Sequence, residues 1–385
     1  MTSIFCRSIG RYVTNDRGVA LIIVVFVVAL VTVLVLEYHY DAAVELELAA
    51  NFGSDIQAYH LAMSGLSFAK VLLSQDDSGV DGPGDLWYQL TVFPACFSPE
   101  QLIAMASIEE GEFLSAGGLP DSAEARESSE EASANQEQSC VSLRIIDEER
   151  KLPINRLRPA AGAGDPDSTW LEVFEQFFVQ MQIDPDRLDA LIDWLDSDND
   201  PRPGFGAERG YYEGLESSYR PRNDAFQTPS ELRLVRGFDA ETLAKLFPGM
   251  RPEAMADVDV GTNAYLTPYG AAPIGEEGVE QGARVNLNTA NAEVLQAVLS
   301  GLRGGSSSTD VVEQILAQRE TEQFESLSEV GDILPDAAGL EAVASVSSSF
   351  FRVESVGVVG PIRKRVVAIL QRSGQDMNMI YFKVE

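Results

Sequence analysis

Histidine is nearly absent from this chain: His39 and His60 are the two among 385 residues, and both fall in the N-terminal helical stretch. No Ser-His, Cys-His or histidine-zinc constellation can therefore be assembled in the rest of the molecule. Cysteine is almost as scarce, with Cys6, Cys96 and Cys140 the full set. Cations are also few, 28 Lys and Arg against 60 Asp and Glu, for a formal net charge of −32. A chain so acidic repels nucleic-acid phosphates and anionic membrane surfaces and attracts divalent cations. Accidental carboxylate pairs are guaranteed among so many acids, so a glycosidase-like pair is not a usable signal, and the reading is of a protein that is not an enzyme.

What the chain does have is one long apolar run near its start. Val19 to Leu36 contains a single polar residue, Thr32, and as a helix would be about 27 Å long, close to the thickness of a bilayer core. The run passes into EYHYDAAVELELAANF without a turn signal or a small-residue cleavage site, which excludes an ordinary secretory signal. Arg7, Arg11 and Arg17 precede it, while Glu37, Asp41, Glu45 and Glu47 follow. That asymmetry leaves the N-terminus in the cytoplasm and the bulk of the chain outside. Helical periodicity continues to about Asp76, where GVDGPGD breaks it.

Beyond the helix, a scaffold and an insertion separate. Val141–Leu157 alternates well enough for two short strands around a charged turn, and 347–385 reads strand, Gly-Pro turn, strand, Ser-Gly turn, strand. Gly117–Gln138 is low in aromatics and dense in Glu, Ser and Ala, the composition of a disordered, solvated loop. Between the strand groups, 159–346 is helical in pattern. DSTWLEVFEQFFVQMQI offers Ser168 or Thr169 as a cap, and TPSELRLVR offers Thr228, Pro229 and Glu231 as a capping box. The fold class is α+β: a long N-terminal transmembrane helix packed on a small antiparallel sheet, with a large inserted all-helical domain.

The stretch RGVALIIVV resembles the type IV pilin signal, which a prepilin peptidase cuts on the cytoplasmic side after the glycine. That implies cleavage between Gly18 and Val19 and methylation of the new N-terminus. Together with IIDEERKLPINRL, LIDWLDSDNDPRPGFGAERGYY, TPSELRLVRG and VNLNTANAEVLQAVLSGL, the chain resembles the general secretion pathway protein K family, the large minor pseudopilin of type II secretion. The resemblance implies a pilin-like fold with 1–18 as leader, 19–76 as N-terminal helix (19–36 transmembrane), 77–158 and 347–385 as the two parts of the pilin-like domain, and 159–346 as the insertion. It implies an inner-membrane, single-pass protein with its C-terminal domain in the periplasm, partnered by other minor pseudopilins. The alternative is a minor pilin of a type IV pilus or a single-pass membrane-anchored binding protein.

Pilins usually carry glutamate at the fifth mature position, opposite the terminal amine of the next subunit. Here that position is Ile23. A subunit without that carboxylate needs no neighbour ahead of it, which suits the tip of a filament. In an oxidising periplasm Cys96 and Cys140 would pair, closing a loop that the chain-entropy model values at roughly 4 kcal/mol; otherwise they are two buried thiols. The part 285–335 resembles a DNA-binding helix-hairpin-helix pair, but it has Arg303 and Arg319, no lysine, and Glu313, Glu320, Glu322, Glu325 and Glu329 around them. With phosphate contact the main source of affinity, that surface excludes nucleic acid.

Leu195–Tyr212 holds the candidate metal site. Asp196, Asp198 and Asp200 alternate, and the bend at Pro201, Pro203, Gly204 and Gly206 can return Glu208 towards them. Hard oxygen donors without histidine or cysteine select calcium over zinc or copper. The spacing is not an EF-hand, since Pro201 stands at the sixth loop position and Ala207 at the twelfth. The alternative is a solvated acidic loop. The resemblance favours calcium, one ion or two, and adds Asn223 and, more weakly, Asp193 as ligands.

Overall fold

The structure is a computed structural model that describes residues 16–76, 79–92, 96–106, 139–160, 164–248, 264–270, 283–306, 308–334 and 339–385. The leader before residue 16 and the acidic segment 117–138 lie outside the described residues. The chain forms two units, 1–57 and 58–385. In the first, the described residues are a single helix, the N-terminal part of α1 (Asp16–Gln75). It contains a stretch long and apolar enough to cross a membrane, with a mean hydropathy of 3.5 in its most apolar window. Gly18 and Val19 lie inside this helix, close to its start.

The second unit begins with the C-terminal part of α1, which packs on a five-stranded antiparallel sheet of order β1-β2-β7-β8-β9. Its strands are β1 (Cys96–Phe97), β2 (Ser139–Asp147), β7 (Phe350–Val359), β8 (Ile362–Ser373) and β9 (Asp376–Val384), while β5 (Val285–Asn286) and β6 (Ala344–Ser345) form a separate parallel pair. β7 and β8 pair from Phe350↔Gln371 to Val359↔Ile362, joined by the Gly360–Pro361 turn, and β8 and β9 are joined through Gly374. Alternation puts Leu143, Ile145, Val353 and Ala368 on the face that meets Ala62, Leu66, Ala69 and Leu73 of the helix. The approach is close enough that a Cβ at Gly357 would collide with the carbonyl oxygen of Ala58 and lie 2.8 Å from the Ala62 nitrogen. Cys96 and Cys140 are bonded, with Cα atoms 5.5 Å apart, and tie β1 to β2.

After the short helices α2 (Leu86–Val92) and α3 (Pro99–Ala106), the helical part has its own core, built on α4 (Ser168–Gln180), α5 (Arg187–Leu195), α7 (Ala240–Leu246), α8 (Ala292–Leu302) and α9 (Thr309–Arg319). The cap of α4 is Asp167, whose carboxylate accepts from the Thr169 and Trp170 nitrogens, and not Ser168 or Thr169 as the sequence suggests. An aspartate one residue earlier reaches both orphan donors at once. The Thr228–Glu231 capping box forms, but it opens a 3-10 helix (Pro229–Leu234) and not an α-helix.

A second difference concerns Val141–Leu157. β2 is a full strand, but its expected partner shrinks to β3 (Leu152–Pro153), which pairs in parallel with β4 (Leu266–Thr267) and runs into a 3-10 turn at Ile154–Leu157. Pro153 has no N–H for a ladder, and Asn155 draws the chain into the helical part. Its side chain donates to the Phe226 and Pro268 carbonyls at 3.0 and 2.7 Å and accepts from the Phe226 nitrogen at 2.8 Å.

Candidate metal centre

The site grows from the end of α5. The last turn of that helix carries Asp193, fully buried, and the next residue after the helix is Asp196, in extended backbone. Asp193 clasps the loop that follows: Oδ2 accepts from Arg202 N at 3.1 Å and from Ala207 N at 2.7 Å. Asp189, one turn earlier, accepts from Phe205 N at 3.3 Å. The fit is tight, since a Cβ on Gly206 would lie 2.6 Å from Asp193 Oδ2. The loop therefore returns on itself and delivers Glu208 at the start of α6 (Arg209–Glu213). Single carboxylate oxygens of Asp193, Asp196 and Glu208 lie within 4.8 Å of one another.

The oxygens of Asp196 and Glu208 are poorly satisfied by the protein. Glu208 is 4 % exposed and neither Oε1 nor Oε2 has a hydrogen-bond partner; Asp196 Oδ1 and Asn223 Oδ1 are in the same position. Burial and the neighbouring Asp196 and Asp193 push the Glu208 carboxyl up to about 8. Burial likewise raises Asp193 to about 6, against the pull of its two backbone donors, and raises Asp196, with Asp198 adding to it. Buried acceptors without donors are costly, and crowded carboxylates repel. A hard cation removes both penalties at once, so the donor set fits calcium in kind: carboxylate oxygens only.

Of the residues singled out from sequence, the trio joins Asp193, Asp196 and Glu208. Asp198 and Asp200 are exposed and lie outside it. Asp198 Oδ1 accepts from Asp200 N at 2.8 Å, an Asx turn that breaks the extended backbone on which the alternation argument depends. Asn223 stands in the left-handed region (φ 48°), and its Nδ2 donates to the Asp198 carbonyl, which keeps its Oδ1 available.

A second polar cluster was not legible as such. The charged turn after β2 is buried at the joint between sheet and helical part. Asp147 Oδ2 accepts from Thr289 Oγ1 at 2.5 Å, Ser348 Oγ at 2.7 Å and Asn286 Nδ2 at 3.2 Å. Asp81 accepts from Ser348 N at 2.7 Å and pairs with Arg372, which also holds Asp76 at 2.8 Å. Burial, reinforced by Asp147, pushes Glu149 up to about 8. Burial works against the charge of Glu148 too, but Lys151 and Arg352 outweigh it and hold this carboxyl down at about 2. The cluster lacks the orphaned oxygens of the loop site except at Asp81 Oδ1, and a guanidinium already occupies it. In sequence the only hint is a run of five charged residues, Asp147–Lys151, with no glycine or proline among them.

A long apolar helix running onto a small antiparallel sheet, with a helical insertion carrying an acidic loop, defines a membrane-anchored pilin-like subunit. Two family models, both described as type II secretion system (T2SS), protein K, match residues 150–250 and 285–349. The type II secretion system protein K of Aeromonas hydrophila is 24 % identical over 96 % of this chain and 96 % of its own length; that of Pseudomonas aeruginosa is 25 % identical over 94 % and 90 %. A chain from the crystal structure of the GspK-GspI-GspJ complex of the enterotoxigenic Escherichia coli type 2 secretion system has the same fold, with a TM-score of 0.59 at 16 % identity, covering 88 % of this chain and 99 % of that one. Family models, relatives matched over nearly their whole length and the shared fold together support the type II secretion system protein K family for this chain, and with it a minor pseudopilin of that system.

Proposed function

We propose that this subunit is the first of its filament: it caps the tip of the pseudopilus, helps to initiate assembly, and so supports export of folded proteins across the outer membrane. The observation that carries the reading is Ile23, an apolar side chain where pilin-like subunits present a glutamate to the subunit ahead. A subunit with nothing to offer in that direction ends the filament there. The bulk of the helical insertion supports the same position, since it would obstruct a subunit stacked above it. The solved relative comes from a complex with GspI and GspJ, which supports other minor pseudopilins as partners of this chain as well.

In this reading a prepilin peptidase removes the leader after Gly18, Val19 becomes a methylated N-terminus, the helix stays in the inner membrane and the rest stands in the periplasm. The role is assembly, without catalysis and without nucleic acid. Arg319, a candidate phosphate contact, is instead engaged by the Leu287 carbonyl at 3.0 Å and by that of Ala290. The loop site holds calcium, one ion or two, through Asp196, Glu208 and Asn223, with Asp193 orienting the loop. Mixing the part from Tyr38 onward with the other minor pseudopilins should give a complex on size exclusion; separate elution under calcium would overturn the proposal. Mass spectrometry of the membrane-extracted chain should show Val19 as its first residue, and a chain starting at Met1 would reduce it to a plain anchored protein.

A further inference from the structure

Beyond the apolar run, α1 carries a surface that is exposed among the described residues. Steps of three and four residues bring Glu37, Asp41 and Glu45 onto one face with Val44, Leu48 and Phe52. All six side chains are exposed, Leu48 by 62 % and Phe52 by 66 %. A helix alone in water gains nothing from this pattern. The acids follow one another at four-residue spacing, where like charges repel, and the apolar side chains between them stay wet. The helix itself supplies no relief over this stretch, since Gly18 to Ala69 contains no lysine or arginine. Among the described residues, the side chains of Glu37, Asp41 and Glu45 have no hydrogen bond or ion pair.

We propose that this face docks the helix of a different subunit, one that sets apolar side chains against Val44, Leu48 and Phe52 and lysine or arginine opposite Glu37, Asp41 and Glu45. The inference rests on the reading of the chain as a subunit that assembles with other minor pseudopilins, and it names the chemistry by which the partner is chosen. Charge excludes a second copy as the occupant. A parallel copy would bring Glu37, Asp41, Glu45, Glu47 and Asp55 against the same acids, with no cation to intervene. An anionic lipid headgroup is repelled for the same reason. Only a helix that is apolar and basic in alternation satisfies both halves of the face, so the device selects a heterotypic neighbour and rejects its own kind.

The test uses the full-length chain, co-produced in membranes with the other minor pseudopilins and with a second, differently tagged copy of itself. Glu37→Gln, Asp41→Asn and Glu45→Gln together remove the charges, preserve shape, and add no cation that would disturb the orientation of the membrane helix. Wild type should capture another minor pseudopilin and not its own second copy. The triple variant should lose partner capture on the order of tenfold, the effect of three exposed ion pairs, and should begin to capture itself. Leu48→Ala with Phe52→Ala should weaken capture of both. Formation of the Cys96–Cys140 bond, read by gel mobility, reports that each variant is exported and folded. A triple variant that forms this bond and captures its partner as well as wild type does overturns the inference alone. Wild type that captures no minor pseudopilin overturns the underlying reading with it.

Discussion

Glu208 and Asp196 are brought side by side in the interior by a loop that returns on itself, and neither Glu208 oxygen nor Asp196 Oδ1 has a hydrogen-bond donor. Two carboxylates so placed oppose folding unless a proton or a cation neutralises them. Calcium should therefore raise the unfolding midpoint of the domain, by the equivalent of about 2.7 kcal/mol at a hundredfold excess over its dissociation constant. Glu208→Gln should have opposite effects in two media: a higher midpoint than wild type in EGTA, where a repulsive charge is gone, and no response to calcium. A calcium response that survives Glu208→Gln would move the ion elsewhere.

The joint behind the sheet sets a pH dependence. Glu149 titrates at about 8 and Asp81 at about 7 in the folded chain, raised by burial from ordinary values of 4.5 and 3.8. Raised folded values mean that the folded state holds protons the unfolded state has released. Their stabilising contribution is complete below about pH 4 and is lost as the pH rises to about 8, with a slope of up to about 1.4 kcal/mol per pH unit for each proton. Glu149→Gln should flatten this slope at fixed calcium. Denaturant titrations of both proteins between pH 5 and 8 measure it, and parallel curves would remove Glu149 from the linkage.

Packing of the helix on the sheet depends on Gly357. Alanine there meets the Ala58 carbonyl, so helix and strand must separate. Overpacking of this kind costs roughly 1–3 kcal/mol, more where backbone is struck. Thermal melts of Gly357→Ala should show the loss, and a midpoint equal to wild type would mean that the helix can shift freely on the strand.

Removing the bridge between β1 and β2 should also destabilise the domain. Cys96→Ser with Cys140→Ser reopens a loop with a sequence separation of 44, worth up to roughly 4 kcal/mol by chain entropy. Urea midpoints of the oxidised wild type and the double variant compare the two states directly, and equal midpoints would leave the bridge without energetic weight.

How much of this was legible in the sequence divides by the range of the interaction. The apolar run, the C-terminal strands and their Gly-Pro and Ser-Gly turns depend on neighbours a few residues away, and periodicity reports them. Glu208 was legible because prolines and glycines between it and Asp196 announce a return of the chain. The separate position of Asp198 was not, since an Asx turn to Asp200 N replaces the extended backbone that alternation assumes. Nor was the orienting role of Asp193, which depends on backbone donors at Arg202 and Ala207. Least legible was the buried joint. Asp147, Glu148 and Glu149 read only as a charged turn until Asn286, Ser348 and Arg352, more than a hundred residues away in sequence, arrive to satisfy them.

The central claim is the position of this subunit in the filament. Pseudopili sheared from cells that make the chain with an epitope after Glu385 can be labelled with gold-conjugated antibody and counted by electron microscopy. A tip subunit gives one gold particle at a single end of each labelled filament. Gold spaced along the shaft, or filaments that form in normal number and carry no label at either end, would contradict it.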